Sequence, residues 1–74
     1  MSKAATAIAV RKLRKVCYDL GVEFFEFNPN SFRLTKQGFV TVDVYPKSLK
    51  TFNHDDRMWG QITDIDGFVK YQFT

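Results

Sequence analysis

The hydrophobic and polar positions of the chain follow a helical period over the first twenty residues. At 100° per residue, one arc of about 120° collects the small and apolar side chains, namely Ala5, Ala9, Leu13, Val16, Cys17 and Leu20. Ser2 is placed to cap the start of such a helix, and Gly21 is a residue type that commonly ends one. The pattern therefore predicts an N-terminal helix whose apolar face packs on the rest of the domain.

From Gly21 onward the pattern changes to that of β-strands. Aromatic and β-branched runs separated by turn residues predict three strands, Val22–Phe27, Phe32–Thr35 and Phe39–Tyr45. The third run alternates strictly, which puts Val40, Val42 and Val44 on one face of the strand. Phe39 and Tyr45 then share the opposite face.

The segment after Pro46 carries weaker patterns. Ser48–Phe52 is a candidate fourth strand, while Met58–Thr63 fits either a strand or one helical turn. Near the C-terminus, an Asp-Gly pair at 66–67 is typical of a hairpin turn, and the alternation over 69–73 predicts a closing strand. The predicted fold class is α+β: one N-terminal helix packed on a small antiparallel sheet of four to six short strands, forming a single domain over residues 1–74.

The composition is that of a small folded domain. Of 74 residues, 45% are hydrophobic and 16% aromatic, which is too apolar for a disordered chain. The single cysteine, Cys17, excludes a disulfide framework within the chain. No apolar run reaches the roughly 18 residues that a membrane span requires, and no signal-peptide pattern is present. We therefore expect a cytoplasmic protein with no membrane contact.

The positive charge is concentrated in the predicted helix. Residues 1–20 hold five basic groups and one acidic group, whereas the remaining residues hold six basic and seven acidic groups. On the helix face opposite the apolar arc lies a basic stripe, which consists of Lys3, Arg11, Arg14 and Lys15. Such a stripe fits either contacts to nucleic-acid phosphates or an ordinary solvated helix face.

The residue types that usually carry catalysis or metal binding occur here in unfavourable settings. His54 precedes Asp55 and Asp56 in a polar segment that reads as a solvated loop, and no second histidine is available as a metal ligand. Cys17 lies on the apolar face of the helix, near the end where the dipole disfavours a thiolate. We therefore expect no catalytic residue, no metal site and no cofactor, and the protein is not predicted to be an enzyme.

The abundance of aromatic residues predicts an exposed apolar surface. A single helix covers a width of only about 10 Å, so it cannot shield both faces of a sheet. Phe39 and Tyr45 are therefore expected to stay exposed, and Trp59 either joins such a surface or closes the core. Exposed aromatic patches usually mark an interface with a partner protein or a homodimer.

Three stretches resemble a group of short proteins encoded by tailed bacteriophages and prophages. They are Leu20-Gly21, Ser31-Phe32-Arg33-Leu34 and Asp43-Val44-Tyr45-Pro46-Lys47-Ser48. The resemblance covers about half of the chain and implies a phage origin and a helix-plus-hairpin fold. It implies no catalytic residue, and Val44 departs from the aromatic residue that the group usually has there.

Together these observations predict a small, non-enzymatic accessory protein of phage type. It would bind a macromolecule of the host cell stoichiometrically. The expected partner is a host protein, and binding would inhibit or modulate a host or defence protein. The alternative is a nucleic-acid-binding module that uses the basic helix. The candidate interaction residues are Arg11, Arg14 and Lys15 for charge, and Phe39, Tyr45 and Trp59 for apolar contact.

Overall fold

The computed structural model describes the backbone of residues 3–74 and the side chains from Ala7 onward. Within residues 3–74, the elements in chain order are α1 (Lys3–Leu20), β1 (Glu23–Asn28), β2 (Ser31–Thr35), β3 (Val42–Tyr45), β4 (Lys50–Asn53), β5 (Met58–Gln61) and α2 (Ile65–Gln72). The five strands form one antiparallel sheet in sequence order, β1-β2-β3-β4-β5. The predicted α+β class is confirmed.

Helix α1 forms and ends as its sequence predicts. Its side chains at Leu13, Val16 and Cys17 are buried, which confirms the apolar arc. At its C-terminus Gly21 adopts a φ of 69°, and the Val22 amide donates to the Cys17 carbonyl at 2.8 Å. This is the hydrogen-bond pattern of a Schellman motif, which a glycine at this position makes favourable. The cap predicted at Ser2 lies outside the described residues.

The hydrophobic core lies between the two helices and one face of the sheet. Strands β2 and β3 supply its centre, where Phe32 pairs with Val44 and Leu34 pairs with Val42. All four side chains are buried, and the ring of Phe32 stacks on that of Phe24 at a centroid distance of 4.8 Å. Because strand side chains alternate between faces, this arrangement directs the intervening residues to the opposite face.

The C-terminal segment is a helix, so the predicted hairpin and closing strand are wrong. Ile65, Val69 and Phe73 are buried at a spacing of four residues, whereas Tyr71 is 85% exposed. A strand would have placed Tyr71 on the same face as its two buried neighbours. The carboxylate of Asp64 caps the helix, because its Oδ2 accepts the Gly67 amide at 3.0 Å. Helix α2 packs beside α1 and completes the core layer.

Strand β3 is shorter than predicted, and this moves Phe39. The turn at 36–39 closes with the Phe39 amide donating to the Lys36 carbonyl at 3.0 Å, with Gly38 at a φ of 88°. Pairing with β2 begins only at Val42. The ring of Phe39 lies 6.0 Å from that of Phe73, on the helix side of the sheet. The prediction that Phe39 shares a sheet face with Tyr45 is therefore wrong. The segment Met58–Thr63, which the sequence left open between a strand and one helical turn, contains strand β5.

Removing the cap of α2 tests the corrected C-terminus. Asp64→Ala is expected to lower the free energy of unfolding by about 1 kcal/mol, because the first turn of α2 loses an acceptor for its free amides. Asp55→Ala, in the exposed turn after β4, is the matched control and is expected to change stability by less than about 0.5 kcal/mol. Urea unfolding followed by circular dichroism measures both. Equal effects would contradict the capping role.

Candidate functional site: the open face of the sheet

One face of the sheet is left open by the two helices. The register of the strands aligns one row of side chains across all five strands on this face, formed by Phe25, Arg33, Asp43, Phe52 and Trp59. Four inter-strand spacings of about 4.8 Å make this row about 19 Å long. Phe25 and Trp59, at its two ends, are both 60% exposed. We call this surface the open face.

Three aromatic rings cluster at the β5 end of the open face. The ring of Trp59 lies 5.5 Å from that of Tyr45 and 5.0 Å from that of Phe52. Tyr45 belongs to this face because it is two residues beyond Asp43 on the same strand, but it is half-buried and not exposed as predicted. Of the two alternatives for Trp59, the structure therefore shows exposure on a surface and not closure of the core. We call Tyr45, Phe52 and Trp59 the aromatic cluster.

A second aromatic pair occupies the β1 end. Phe25 and Phe27 meet edge to face at 4.9 Å, and Phe27 lies on this side because it is two residues beyond Phe25 on the same strand. The guanidinium of Arg33 lies 4.6 Å from the centre of the Phe27 ring. Such a stacked arginine keeps its charge while covering part of the ring.

A buried carboxylate joins the two aromatic groups. Asp43 Oδ1 accepts from Arg33 Nε at 2.9 Å, and Asp43 Oδ2 lies 2.8 Å from His54 Nε2. Burial raises the pKa of Asp43, but the hydrogen bonds from Arg33 and His54 outweigh that effect and hold the pKa below its usual value. The same contact raises the pKa of Arg33. The carboxylate and the guanidinium are therefore both charged at neutral pH and offset each other.

His54 begins the exposed turn at 54–57, as the sequence predicted, but its ring also reaches the open face. Its amide donates to the Thr41 carbonyl at 3.1 Å, which extends the β3–β4 pairing beyond Asn53. Its ring packs edge-on against Phe52 at 5.2 Å. His54 thus belongs to the open face, where it supports the aromatic cluster from the side of Asp43.

The remaining chemically reactive groups fit structural positions. Cys17 is buried, and this burial raises the pKa of its thiol to about 12. Asp64 caps α2, and Asp66 pairs with Lys70 one turn later at 2.9 Å. Over residues 3–74, no group of three or more His, Cys, Asp or Glu side chains is arranged to hold a metal ion.

The described part of the basic stripe lies on the far side of the molecule from the open face, and the side chain of Lys3 lies outside the described residues. Arg11, Arg14 and Lys15 are all exposed, as expected, because α1 packs its other face on the helix side of the sheet. Arg14 approaches Glu26 at 3.5 Å, and Lys15 approaches Asp19 at 3.8 Å. The stripe is therefore partly compensated by acidic neighbours, which its sequence alone did not predict.

The six predicted interaction residues thus divide between two sides of the molecule. Tyr45 and Trp59 come together on the open face, whereas Arg11 and Arg14 lie beside one cleft on the helix side. Phe39 is also on the helix side, next to α2. A single flat partner surface can contact one of these groups but not both.

Two observations complete the description. In the part of the chain that the structure covers, neither helix has the length and apolar character needed to cross a lipid bilayer. Comparison of the sequence and fold with protein-family models, curated proteins and solved structures found no match.

Proposed function

We propose that this protein is a non-enzymatic binding module that docks one partner protein on the open face of its sheet. The observation that carries the proposal is the aromatic cluster, in which Trp59 is exposed and packs against the half-buried rings of Tyr45 and Phe52. The resemblance to phage proteins makes a host protein the expected partner, with inhibition or modulation of a host or defence protein as the outcome of stoichiometric binding.

The exposure of large rings on one face supports this proposal. Phe25, Phe27 and Trp59 are each about half exposed or more, at 60%, 49% and 60%. Small monomeric proteins rarely leave several large apolar side chains together on one surface unless it is used for contact. Tryptophan and tyrosine are also the residue types that most often dominate binding energy at protein interfaces.

The charge of the open face favours a protein over a nucleic acid. Arg33 and Lys50 contribute two positive charges, and Asp43 and Glu23 contribute two negative charges. A phosphate backbone would meet no net positive charge on this surface, whereas nucleic-acid binding depends on such charge. A surface without net charge that carries tryptophan, tyrosine, phenylalanine and arginine side chains has the residue types that protein interfaces favour.

Truncating Trp59 tests the proposed interface. We expect Trp59→Ala to weaken binding of the partner by about tenfold or more, because the side chain is a central ring of the cluster. Tyr71→Ala is the matched control, since Tyr71 is 85% exposed but lies on α2, on the helix side. Capture from nuclease-treated host lysate identifies the partner, and calorimetry with the purified pair measures affinity and stoichiometry.

The same experiment distinguishes the other outcomes. A partner that binds wild type and Trp59→Ala equally would contradict docking on the open face. Self-association of the purified protein, lost in Trp59→Ala and measured by light scattering, would replace the host protein with a homodimer. Enzymatic conversion of the captured partner in place of a stable complex would contradict the non-enzymatic proposal.

A second candidate function is nucleic-acid binding by α1. It rests on Arg11 and Lys12, which are exposed and, among the described residues, lie within 4 Å of no acidic side chain. Gel-shift titrations at two salt concentrations test it. Sequence-tolerant binding that weakens steeply with salt, and that is lost in the Arg11→Glu/Arg14→Glu double variant, would rank this function first.

A further inference from the structure

A cleft on the helix side of the sheet combines apolar walls with two arginines. It lies between α1 and the turn that joins β1 to β2, and its volume is about 470 Å³. Its lining residues include Ala7, Val10, Arg11, Arg14, Glu26 and Pro29. This volume falls within the range of about 300–1,000 Å³ that is usual for binding clefts.

The cleft carries an excess of positive charge. Arg11 and Arg14 are three residues apart on α1, so their side chains project from the same side of the helix. Glu26 is the acidic side chain among the lining residues, and its carboxylate reaches Arg14 only at 3.5 Å. Within the described residues, Arg11 has no acidic side chain within 4 Å.

The second arginine lies near an aromatic ring. The guanidinium of Arg14 is 5.6 Å from the centre of the Phe24 ring, at the edge of the sheet. The side chain is 62% exposed and meets Glu26 only at 3.5 Å, which leaves donor hydrogens of its planar group free for a ligand. Two guanidinium groups beside an apolar wall match a carboxylate that is attached to an apolar body.

We propose that this cleft binds an acidic segment of a protein chain. A carboxylate of the segment lies between Arg11 and Arg14, and a neighbouring apolar side chain packs against Val10 and Pro29. The carboxylate of Glu26 at the rim repels a densely charged phosphate backbone more strongly than it repels a ligand with a single carboxylate. This difference favours an acidic peptide over a nucleic acid. The site is separate from the open face, so it stands independently of the proposed function.

Titration of the full-length ¹⁵N-labelled protein with two short peptides tests the proposal. The probes are acetyl-Glu-Glu-Leu-Glu-Phe-amide and its isostere with glutamine at each glutamate position. We expect the acidic peptide alone to shift the amide signals of Ala7, Val10 and Arg11 in a saturable manner. Shifts of equal size with the glutamine peptide, or acidic-peptide shifts centred elsewhere, would overturn the proposal.

Three charge variants make the test specific. Arg11→Gln and Arg14→Gln should each weaken the acidic peptide by about fivefold to tenfold, since each removes a charge-assisted hydrogen bond. Lys12→Gln is the matched control, because Lys12 is exposed on the same helix but does not line the cleft. It should change the affinity by less than about twofold.

The most discriminating variant is Glu26→Gln, which should tighten binding of the acidic peptide by about twofold to threefold. It removes the carboxylate that competes for Arg14, so a gain in affinity is the expected sign. Unchanged or weaker binding would contradict competition at this site.

A single-stranded oligothymidylate that binds the same residues more tightly than the peptide would reassign the cleft to nucleic acid. Trp59→Ala should leave peptide binding unchanged, which separates failure here from failure at the open face.

Discussion

Replacing Phe32 with alanine is expected to remove a large part of the stability of the protein. The side chain is fully buried, stacks on Phe24 at 4.8 Å and pairs across the sheet with Val44. Removing a buried phenyl ring costs about 3–5 kcal/mol, through lost transfer free energy and the cavity that remains. A domain of this size has a total stability of only about 4–11 kcal/mol. Urea unfolding followed by circular dichroism measures the loss.

Phe25→Ala is the matched control for this prediction. It deletes the same ring from the adjacent strand, but Phe25 lies on the open face and is 60% exposed. We expect its loss to change the free energy of unfolding by less than about 1 kcal/mol. Comparable losses for the two variants would contradict the assignment of one core face and one open face to the sheet.

The N-terminal helix could be predicted because its signals are local and agree with one another. The apolar residues of α1 repeat at helical spacing over about four turns, and Gly21 marks the end with its positive φ. Each of these features acts within a few residues along the chain. The compensation of Arg14 by Glu26 could not be predicted, since it depends on how α1 packs beside β1.

The C-terminal helix could not be predicted because its segment satisfies two periods at once. Val69 and Phe73 are four residues apart, and this spacing puts them on one face of either a helix or a strand. Tyr71 distinguishes the helix from a strand, because only a helix places it away from Val69 and Phe73. Its outward position follows only from the packing of α2 beside α1. Asp64, which lies just before the Asp-Gly pair that indicated a hairpin turn, is the helix cap.

The existence of an uncovered sheet face was predictable, but most of its residues and its polar centre were not. An uncovered face that carries Tyr45 follows from the aromatic count and the single predicted covering helix, whereas the position of Trp59 was left open. The signal that could have located the polar centre was the alternation of side chains along β2 and β3. Arg33 lies between two buried residues, and so does Asp43. Both side chains must then point away from the core, and the register that pairs them depends on the turn between β2 and β3.

Removing the charge of Asp43 is expected to destabilise the protein by about 2 kcal/mol at neutral pH. In Asp43→Asn the amide oxygen can still accept from Arg33, but Arg33 loses its counter-charge. The amide NH₂ group donates, so a contact to His54 requires the ring tautomer whose Nε2 accepts. Urea unfolding of the two proteins near neutral pH measures the difference.

The difference should depend on pH with a defined sign. The pKa of Asp43 is lowered in the folded protein, chiefly by hydrogen bonds from Arg33 and His54 that outweigh the effect of burial. Stability from a lowered carboxyl pKa is fully present above the ordinary value of about 3.9 and is lost as the pH falls through the folded value. We therefore expect the two proteins to converge in stability below about pH 4. A constant difference down to strongly acidic pH would contradict this ionic role.

A double-mutant cycle with Arg33→Gln separates the ion pair from the packing of strand β3. If the carboxylate acts through Arg33, the combined variant should lose about 1 kcal/mol less than the sum of the two single losses. Simple additivity would mean that Asp43 stabilises the sheet without the guanidinium.

The same variants also test whether partner binding depends on the charge of the open face. Asp43→Asn leaves this face with a net positive charge, whereas the double variant restores neutrality. Recovery of partner binding in the double variant would show that neutrality of this surface, and not the carboxylate itself, is what the partner requires.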